Sequence, residues 1–270
     1  MTVVVVQVVG LVTVQDLGRV GHMHEGLARG GALVRGMLVA ANRAVGNPDG
    51  SPALEVLGRL VVRAEVDVET SAGPVARDAT LAIESEPNRV AYLAIRGGIA
   101  APRVLDGRAT QLSAGLGARV RVGARFDRAD EPRVEARPLV PPRVGAIRVI
   151  VGPDVDAFGP DAIVRLCAAT YRVLPTSDRV GTRLDGPTLP RRDGPERSRP
   201  MVRGAIEVHR DGMPIVLGPE HPTIGGYPIV GVIADADQDR FFAVRVGGDV
   251  RFEVGHAATS RSSSTRSSEK

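Results

Sequence analysis

The residue types best suited to chemistry are concentrated in one short segment near the C-terminus, Gly218–Pro228, with the sequence GPEHPTIGGYP. It brings a carboxylate, an imidazole, a hydroxyl and a phenol together around a Gly-Gly step. Glycine permits backbone conformations and close approaches that a side chain would block, and loops on a rigid scaffold commonly carry function. A tight connection between two strands has a similar composition, so both interpretations stay open.

Two polar segments in the first half of the chain also suit a binding site. In Thr13–Arg19 (TVQDLGR), strand alternation places Thr13 and Gln15 on one face. In Arg96–Gly98, a cation stands beside a Gly-Gly step that follows an apolar strand. The structural alternatives are a capped turn for the first segment and a β-bulge for the second.

A third segment, Thr176–Gly186, contains two arginines four residues apart, Arg179 and Arg183. Their guanidinium groups suit a carboxylate or phosphate, which arginine binds through paired hydrogen bonds. A solvated turn with local Arg–Asp pairs is the structural alternative. His22 and His24 offer two metal ligands, but no cysteine or carboxylate cluster completes a zinc pattern, so we predict no metal site.

Composition excludes several kinds of chemistry. Lys270 is the only lysine among 35 basic residues, so the body of the chain offers neither a Schiff-base lysine nor the lysine of a phosphate-binding loop. An anion must therefore meet arginine, histidine or backbone N–H groups. Cys167 is the only cysteine, which excludes an intrachain disulfide and suits the cytoplasm.

Charge and hydropathy limit the classes of partner that the chain can bind. The net charge is +4, acidic and basic residues alternate without a basic block, and only 3% of residues are aromatic. Nucleic-acid binding needs a concentrated basic face and often stacking aromatics, so we expect no nucleic-acid partner. No apolar run is long enough to span a membrane. The apolar start, Met1–Val14, lacks a basic region and is interpreted as a strand, not a signal peptide.

The elements that must position these residues are mostly strands, because valine-rich runs alternate with Gly and Pro. Each half begins with a strand, continues through a loop and one helix, and ends in short strands. The predicted helices cover 32–45 and about 161–170, and Cys167 lies on the buried side of the second. The predicted strands cover 3–9, 53–56, 59–66, 79–83, 90–95, 118–121, 146–151, 205–209, 215–217, 229–233, 241–246 and 250–254.

We therefore predict two related β-barrel-like domains, each with a helix. The N-terminal domain covers residues 1–130, a Pro-rich linker covers 131–145, and the C-terminal domain covers 146–256. A Ser/Arg-rich tail over 257–270 is expected to be disordered because it has almost no apolar groups to bury.

The order of the polar segments resembles the carboxyltransferase subdomain A and B family, also called allophanate hydrolase subunit 2, over about residues 5–254. Seven stretches carry the resemblance: TVQDLGR at 13–19, ANRAVGN at 41–47 with Ala53–Glu55, AYLAIRGGI at 91–99, Gly152-Pro153 with Phe158, SDRVGTRLDG at 177–186, GAI at 204–206 and GGYP at 225–228. Each stretch alone is a weak signal, but seven in order identify the family.

The resemblance implies a mainly β fold of two cyclophilin-like β-barrel domains, which matches the two-half plan. It also implies a companion subunit with carboxyltransferase subdomains C and D, and a third, lactam-utilisation subunit in the 5-oxoprolinase case. The function that it implies is a subunit of an ATP-dependent 5-oxoprolinase, which opens the cyclic amide of 5-oxoproline to glutamate. ATP is then a cofactor of the assembled complex.

Two alternatives follow from the same resemblance. The first is biotin-dependent carboxyl transfer, as in urea carboxylase, with biotin carried by another protein because this chain has no biotin-accepting lysine in its body. The second is a non-catalytic protein that binds and antagonises its companion subunit. Neighbouring genes and turnover by the assembled complex discriminate these functions.

The expected site residues lie in the matching stretches. The catalytic assignments are His221 as general acid/base, because imidazole titrates near neutrality, with Arg179 and Arg183 as donors to the developing negative charge. The substrate-binding assignments are Gln15, Asp16, Arg19, Arg96, Gly97, Gly98, Thr223, Gly225, Gly226 and Tyr227.

The chain departs from the family pattern at several otherwise regular positions. The usual Pro, Ser and Asp of one segment are replaced by Ala28, Gly30 and Val34. Glu207 stands in place of a glutamine, and Glu220 in place of an aspartate. These changes indicate either a different substrate or weakened catalysis.

Overall fold

The protein is described here by a computed structural model covering residues 2–135, 144–192, 194 and 197–255. Its strands are β1 Val3–Gln15, β2 Ala53–Ala64, β3 Val68–Thr70, β4 Gly73–Val75, β5 Thr80–Glu84, β6 Ala91–Leu93, β7 Arg125–Phe126, β8 Ile147–Val151, β9 Thr170–Val173, β10 Gly181–Asp185, β11 Arg199–Pro200, β12 Ala205–Val208, β13 Pro214–Leu217, β14 Ile224–Gly225, β15 Ile229–Ile233 and β16 Asp249–Val254. Its α-helices are α1 Arg35–Ala44, α2 Ala162–Ala168 and α3 Asp235–Ala243. In these described parts, no helix is long and apolar enough to cross a membrane.

A long antiparallel hairpin of β1 and β2 organises the first half. It pairs from Val3 with Ala64 to Gln15 with Ala53. Strands β5 and β6 add to β2, and β7 adds to β1, which gives a five-stranded sheet. The sequence predicts a break near Gly58, but the strand continues. Gly10 and Gly58 face each other there, and a Cβ on either would lie 2.2–2.3 Å from a carbonyl oxygen of the other strand.

A closed barrel forms the second half, with strand order β10-β13-β12-β15-β8-β16-β9. Only the β8–β16 pair among these neighbours is parallel. The predicted mainly β fold is confirmed, and the second half is the expected barrel with a helix, α2, packed on β15 and β16. In the first half, the described strands form the open five-stranded sheet and a separate β3–β4 ribbon.

Two predicted strands are wrong. Residues 241–246 begin inside α3, where Phe241 and Phe242 are fully buried. The aromatic and β-branched residues of this stretch favour a strand, but acidic Asp235 and Asp237 in the first turn stabilise the helix start. Residues 118–121 join no ladder in the described structure, although the Val120 N–H donates to the Val12 carbonyl at 2.8 Å.

One apolar core crosses the two halves of the chain. Leu33 and Leu38 from the first half belong to the same buried cluster as Leu166, Tyr171 and Phe241 from the second. A separate cluster fills the sheet of the first half. The division into domains at 130 and 146 stays a prediction, since most of the predicted linker (136–143) and the whole tail over 257–270 lie outside the described residues.

Helix α3 is attached to the barrel by a buried ion pair. The Asp237 side chain is 0% exposed, and Arg148 of β8 donates to it from its backbone N–H at 2.9 Å and from its guanidinium at 2.8 and 3.0 Å. These hydrogen bonds hold the pKa of Asp237 at about 2.

Replacing this carboxylate, Asp237→Asn, is expected to lower the free energy of unfolding by about 2–3 kcal/mol, because hydrogen bonds to charged groups are strong. The folded pKa lies below the unfolded value of about 3.9. The deficit should therefore hold above about pH 4 and shrink toward pH 2 in urea denaturation. Asp235→Asn, on the exposed side of the same turn, is the control. Equal stability of the two variants at pH 7 would contradict this role.

Candidate functional site

A buried charged cluster joins the two halves at Arg179. Its side chain is 7% exposed and lies between Glu55 of β2 and Glu220, which precedes β14. Nη1 donates to Glu55 Oε1, Nε donates to Glu220 Oε1 at 2.5 Å, and Nη2 donates to the Gly31 carbonyl. Burial alone would lower the pKa of Arg179, but the two carboxylates outweigh burial and raise it.

Glu55 is saturated on its other oxygen. Its Oε2 accepts from the Tyr92 hydroxyl at 2.6 Å and from the Leu33 N–H at 2.7 Å, while the Tyr92 hydroxyl accepts from the Val34 N–H at 3.0 Å. All three guanidinium nitrogens of Arg179 already bond to protein groups. The arrangement therefore fits a structural bridge, and no empty space for a substrate lies against this guanidinium among the cavities described here.

Three predicted binding residues of the first half are buried in loop contacts. The Gln15 amide donates to Thr13 Oγ1 and the Thr110 carbonyl, both at 3.0 Å. Asp16 accepts from two backbone N–H groups at 2.7 and 2.6 Å. Arg19 donates to a backbone carbonyl at 2.9 Å, and burial lowers its pKa. The structure places these side chains where they hold loops together.

The Arg96–Gly98 segment borders a different part of the surface. Gly97 and Gly98 have φ of +86° and +77°, so the Gly-Gly step is required by its backbone conformation. Arg96 lines a broad groove of about 1200 Å³, but its guanidinium is paired with Glu69 at 2.6 Å. Arg128 in the same groove pairs with Asp130 at 2.7 Å. A broad groove whose cations are neutralised by neighbours is a poor candidate for binding a small anion.

A smaller cavity of about 270 Å³ in the second half, here called the barrel cavity, combines polar groups with an apolar wall. Strands β10, β12 and β13 and the loop around β14 surround it. Four predicted site residues line it, namely Arg183, Gly225, Gly226 and Tyr227. Its other polar side chains are Asp178, Glu207 and His209.

Glu207 is the most unusual group in the barrel cavity. Its side chain projects from β12 on the face opposite the core residues Ile206 and Val208, and the residue is 5% exposed. It makes no hydrogen bond or ion pair with any residue that the structure describes. Burial raises the pKa of this carboxyl to about 7. Both protonation states are therefore populated at neutral pH, as a general acid or base requires.

An aromatic wall and an exposed cation complete the barrel cavity. The His209 and Tyr227 rings stack with centroids 4.0 Å apart and an interplanar angle of 24°. Arg183 is exposed, and within the described chain its guanidinium has no hydrogen-bond partner. Ile215 and Leu217 supply apolar surface. A small flat anion with an apolar body fits this combination of groups.

Two more predicted site residues, His221 and Thr223, belong to the loop that supplies Tyr227 but lie outside the cavity lining. His221 is 4% exposed, its Nδ1 lies 2.8 Å from the Pro222 carbonyl oxygen, and burial lowers its pKa. Thr223 uses its carbonyl to accept from the Met201 N–H at 3.0 Å. Neither His221 nor Thr223 lines the barrel cavity.

Gly225 is required by close packing. A Cβ there would lie 2.5 Å from Met201 Cε and 3.2 Å from Glu207 Oε1. Neither Gly225 nor Gly226 is among the glycines of the described chain with positive φ. The expected close approach therefore arises from packing against Met201 and Glu207.

Sequence reasoning named Glu207 only as a departure from the family pattern and did not assign Asp178 or His209 to a site. The available signal was alternation, because residues i and i+2 of a strand share a face. Glu207 and His209 meet this condition around the fully buried Val208.

The two histidines considered as metal ligands lie elsewhere, and His22 Nδ1 is 2.9 Å from Glu25 Oε2. In the described residues, no group of three or more His, Cys, Asp or Glu is arranged to hold a metal ion.

The first expected outcome at this site concerns Arg179. Arg179→Met leaves the carboxylates of Glu55 and Glu220 buried without their cation, so the free energy of unfolding should fall by about 3–5 kcal/mol. Arg183→Met, at an exposed position, should change it by less than about 0.5 kcal/mol. Chemical denaturation measures both variants. If Arg179→Met kept its native stability but lost ligand binding, Arg179 would be a binding residue and not a structural bridge.

A second expected outcome concerns Glu207. Its folded pKa of about 7 lies above the unfolded value of about 4.3, so ionisation destabilises the fold as the pH rises through this interval. Glu207→Gln should therefore gain stability relative to the wild type, from about zero at pH 4 to about 3–4 kcal/mol at pH 8. Urea denaturation across pH tests this, with His209→Gln as the control for the neighbouring imidazole. A pH-independent difference would contradict a buried titrating carboxyl.

Comparisons with known proteins agree with this architecture. The profile of the family described as "Carboxyltransferase domain, subdomain A and B" matches residues 69–254. The chain is 30% identical over 269 residues to the 5-oxoprolinase subunit designated C of Escherichia coli (strain K12), which covers 89% of this chain and 87% of that protein. It is 25% identical over 295 residues to urea amidolyase of Lachancea kluyveri, covering 89% of this chain and 16% of that protein.

Solved structures show the same fold. TTHA0988 superposes with a TM-score of 0.80 at 27% identity, covering 93% of this chain and 55% of that chain. The K. lactis urea amidolyase superposes with a TM-score of 0.79 at 22% identity, covering 94% of this chain and 18% of that chain. The present chain thus spans about half the length of TTHA0988 and a small part of urea amidolyase. The family profile and the 30% identical relative together show that this chain belongs to the carboxyltransferase subdomain A and B family.

Proposed function

We propose that this chain is a subunit of a 5-oxoprolinase-type enzyme that opens the cyclic amide of 5-oxoproline to glutamate with hydrolysis of ATP. It acts in the cytoplasm with a companion subunit that has carboxyltransferase subdomains C and D, and with a third, lactam-utilisation subunit. ATP binding belongs to the assembled complex in this proposal, because the body of the chain has no lysine for a phosphate-binding loop.

The length of the similarity supports a separate subunit of this type. It extends over 87% of the matching 5-oxoprolinase subunit from Escherichia coli, but over only 16% of urea amidolyase. The overlap is therefore with a protein named as one subunit, and with a minor part of a much larger protein.

The main support for this proposal is the match between the groups that line the barrel cavity and the parts of 5-oxoproline. The substrate 5-oxoproline has a carboxylate, a ring of apolar methylene groups and an amide. The guanidinium of Arg183 can pair with the carboxylate, while Ile215 and Leu217 contact the methylene groups. The amide then faces Glu207, whose carboxyl exchanges a proton near neutral pH.

Turnover by the assembled complex tests the proposal. The chain should be purified with its companion subunits, and glutamate and phosphate formation from 5-oxoproline and ATP should be measured together. Stoichiometric formation of both products is expected only when this chain is present. A complete complex that forms no glutamate would sink the proposal.

Arg183→Ala should raise KM for 5-oxoproline by about 10–100-fold, the equivalent of losing one charge-assisted contact of about 1.5–3 kcal/mol. A smaller change in kcat is expected because this contact is present in both the ground state and the transition state. Arg172→Ala is the matched control, since Arg172 is an exposed barrel arginine outside the cavity that pairs with Asp249. An equal effect of both variants on KM would remove Arg183 from the site.

Biotin-dependent carboxyl transfer is the second candidate, because urea amidolyase of Lachancea kluyveri matches 89% of this chain. Biotin would arrive on a partner protein. Transfer from carboxybiotin without turnover of 5-oxoproline would favour this function. Tight binding to the companion subunit without turnover of either substrate would favour a non-catalytic antagonist.

A further inference from the structure

Within the described residues, the carboxyl group of Glu207 borders the barrel cavity, which has room for a new partner. Its neighbours across β12 in the strand register are Ile215 of β13 and Ile229 of β15, which offer apolar side chains. Gly225 packs against it from the loop, where a Cβ would lie 3.2 Å from Oε1. A ligand in the cavity is therefore the group that can satisfy this buried carboxyl.

The other ionisable groups around the cavity come from three elements. Asp178 lies just before β10 and Arg183 lies within it. His209 follows β12, and Tyr227 lies in the loop after β14. Asp178 is held by the backbone, since its Oδ1 accepts from the Val180 and Gly181 N–H groups at 2.9 Å. Burial is the cause of the raised pKa of Glu207, so its neutral form is well populated at neutral pH.

A neutral carboxylic acid and a lactam have matching edges. The acid presents one O–H donor and one carbonyl acceptor side by side, whereas a carboxylate presents acceptors only. A small-ring lactam holds its amide cis, so its N–H and C=O also point along one edge. Two parallel hydrogen bonds join these edges when the acid is neutral. After ionisation, the lactam carbonyl oxygen faces a negatively charged oxygen.

We propose that Glu207 recognises the cis-amide edge of a small lactam as a neutral carboxylic acid, with Arg183 binding any carboxylate on the ring. This inference rests on the proposed function and adds the form of the amide that is bound, an unsubstituted N–H in a small ring. The cavity of about 270 Å³ lies just below the roughly 300–1,000 Å³ typical of drug-sized ligand sites, so it suits a small ring. Affinity should therefore follow the protonated fraction of Glu207.

Calorimetric titration of the full chain alone tests the proposal with three probes: 5-oxoproline, 2-pyrrolidinone and N-methyl-2-pyrrolidinone. None of these probes changes its own protonation between pH 6 and 8.5. Since only the protonated fraction binds, the affinity for the first two should fall by about thirtyfold over that interval. N-methyl-2-pyrrolidinone lacks the N–H and should therefore bind more weakly than 2-pyrrolidinone at pH 6.

Glu207→Gln is the informative variant, because a carboxamide keeps one donor and one acceptor but does not titrate. It should bind 5-oxoproline with similar affinity at both pH values. Glu207→Leu should bind it weakly at both. His209→Gln should keep the pH dependence of the wild type, which separates the carboxyl from the neighbouring imidazole.

Several results would overturn the inference: no binding of either N–H lactam, wild-type affinity that is flat or increases toward pH 8.5, or Glu207→Gln behaving like Glu207→Leu. Turnover of 5-oxoproline by the assembled complex beside any of these results would leave the proposed function standing and remove only the role of Glu207. The expected binding pattern in a complex without turnover would support Glu207 as the lactam contact and reject the enzymatic function.

Discussion

A guanidinium group removed from water must be matched by buried anions, and this constraint organises the contact between the two halves of the chain. Arg179 from the second half lies between Glu55 of the first half and Glu220, and it also bonds the Gly31 carbonyl. Removing one partner would leave an uncompensated buried charge, which is far more costly than losing an exposed pair. The bridge therefore fixes the position of the first-half loop at residues 31–34 relative to the barrel.

Because of this constraint, one short segment contains both a structural arginine and a candidate ligand-binding arginine. Arg179 and Arg183 are four residues apart, but Arg179 faces the first half of the chain and is saturated, whereas Arg183 faces the barrel cavity and is exposed. In the following loop, His221 and Glu220 pack inward, while Gly225 and Tyr227 border the cavity. The segments that signalled function in the sequence thus contain both the residues that hold the halves together and the residues that meet a ligand.

The fold could be read from the sequence in outline, because each half has the same succession of strand, loop, helix and short strands. The helices α1 and α2 follow the apolar spacing of their residues. Helix α3 could not be predicted, since Phe241 and Phe242 favour a strand locally and become helical by burial in the shared core. The sequence also did not predict that the two halves share an apolar core, in which Leu38 packs in one cluster with Phe241 from the other half.

For the site, the sequence by itself determined the residue types and their order, which were sufficient to identify the family and to nominate Arg183, Gly225, Gly226 and Tyr227. It also determined that an anion would meet arginine, since the only lysine is Lys270. Only the tertiary structure decided that Glu207 is a buried carboxyl with a pKa of about 7 and no partner in the described chain, because that property depends on the apolar strands packed around it. Burial and charge pairing arise from contacts between residues far apart in the chain, and local sequence does not encode them.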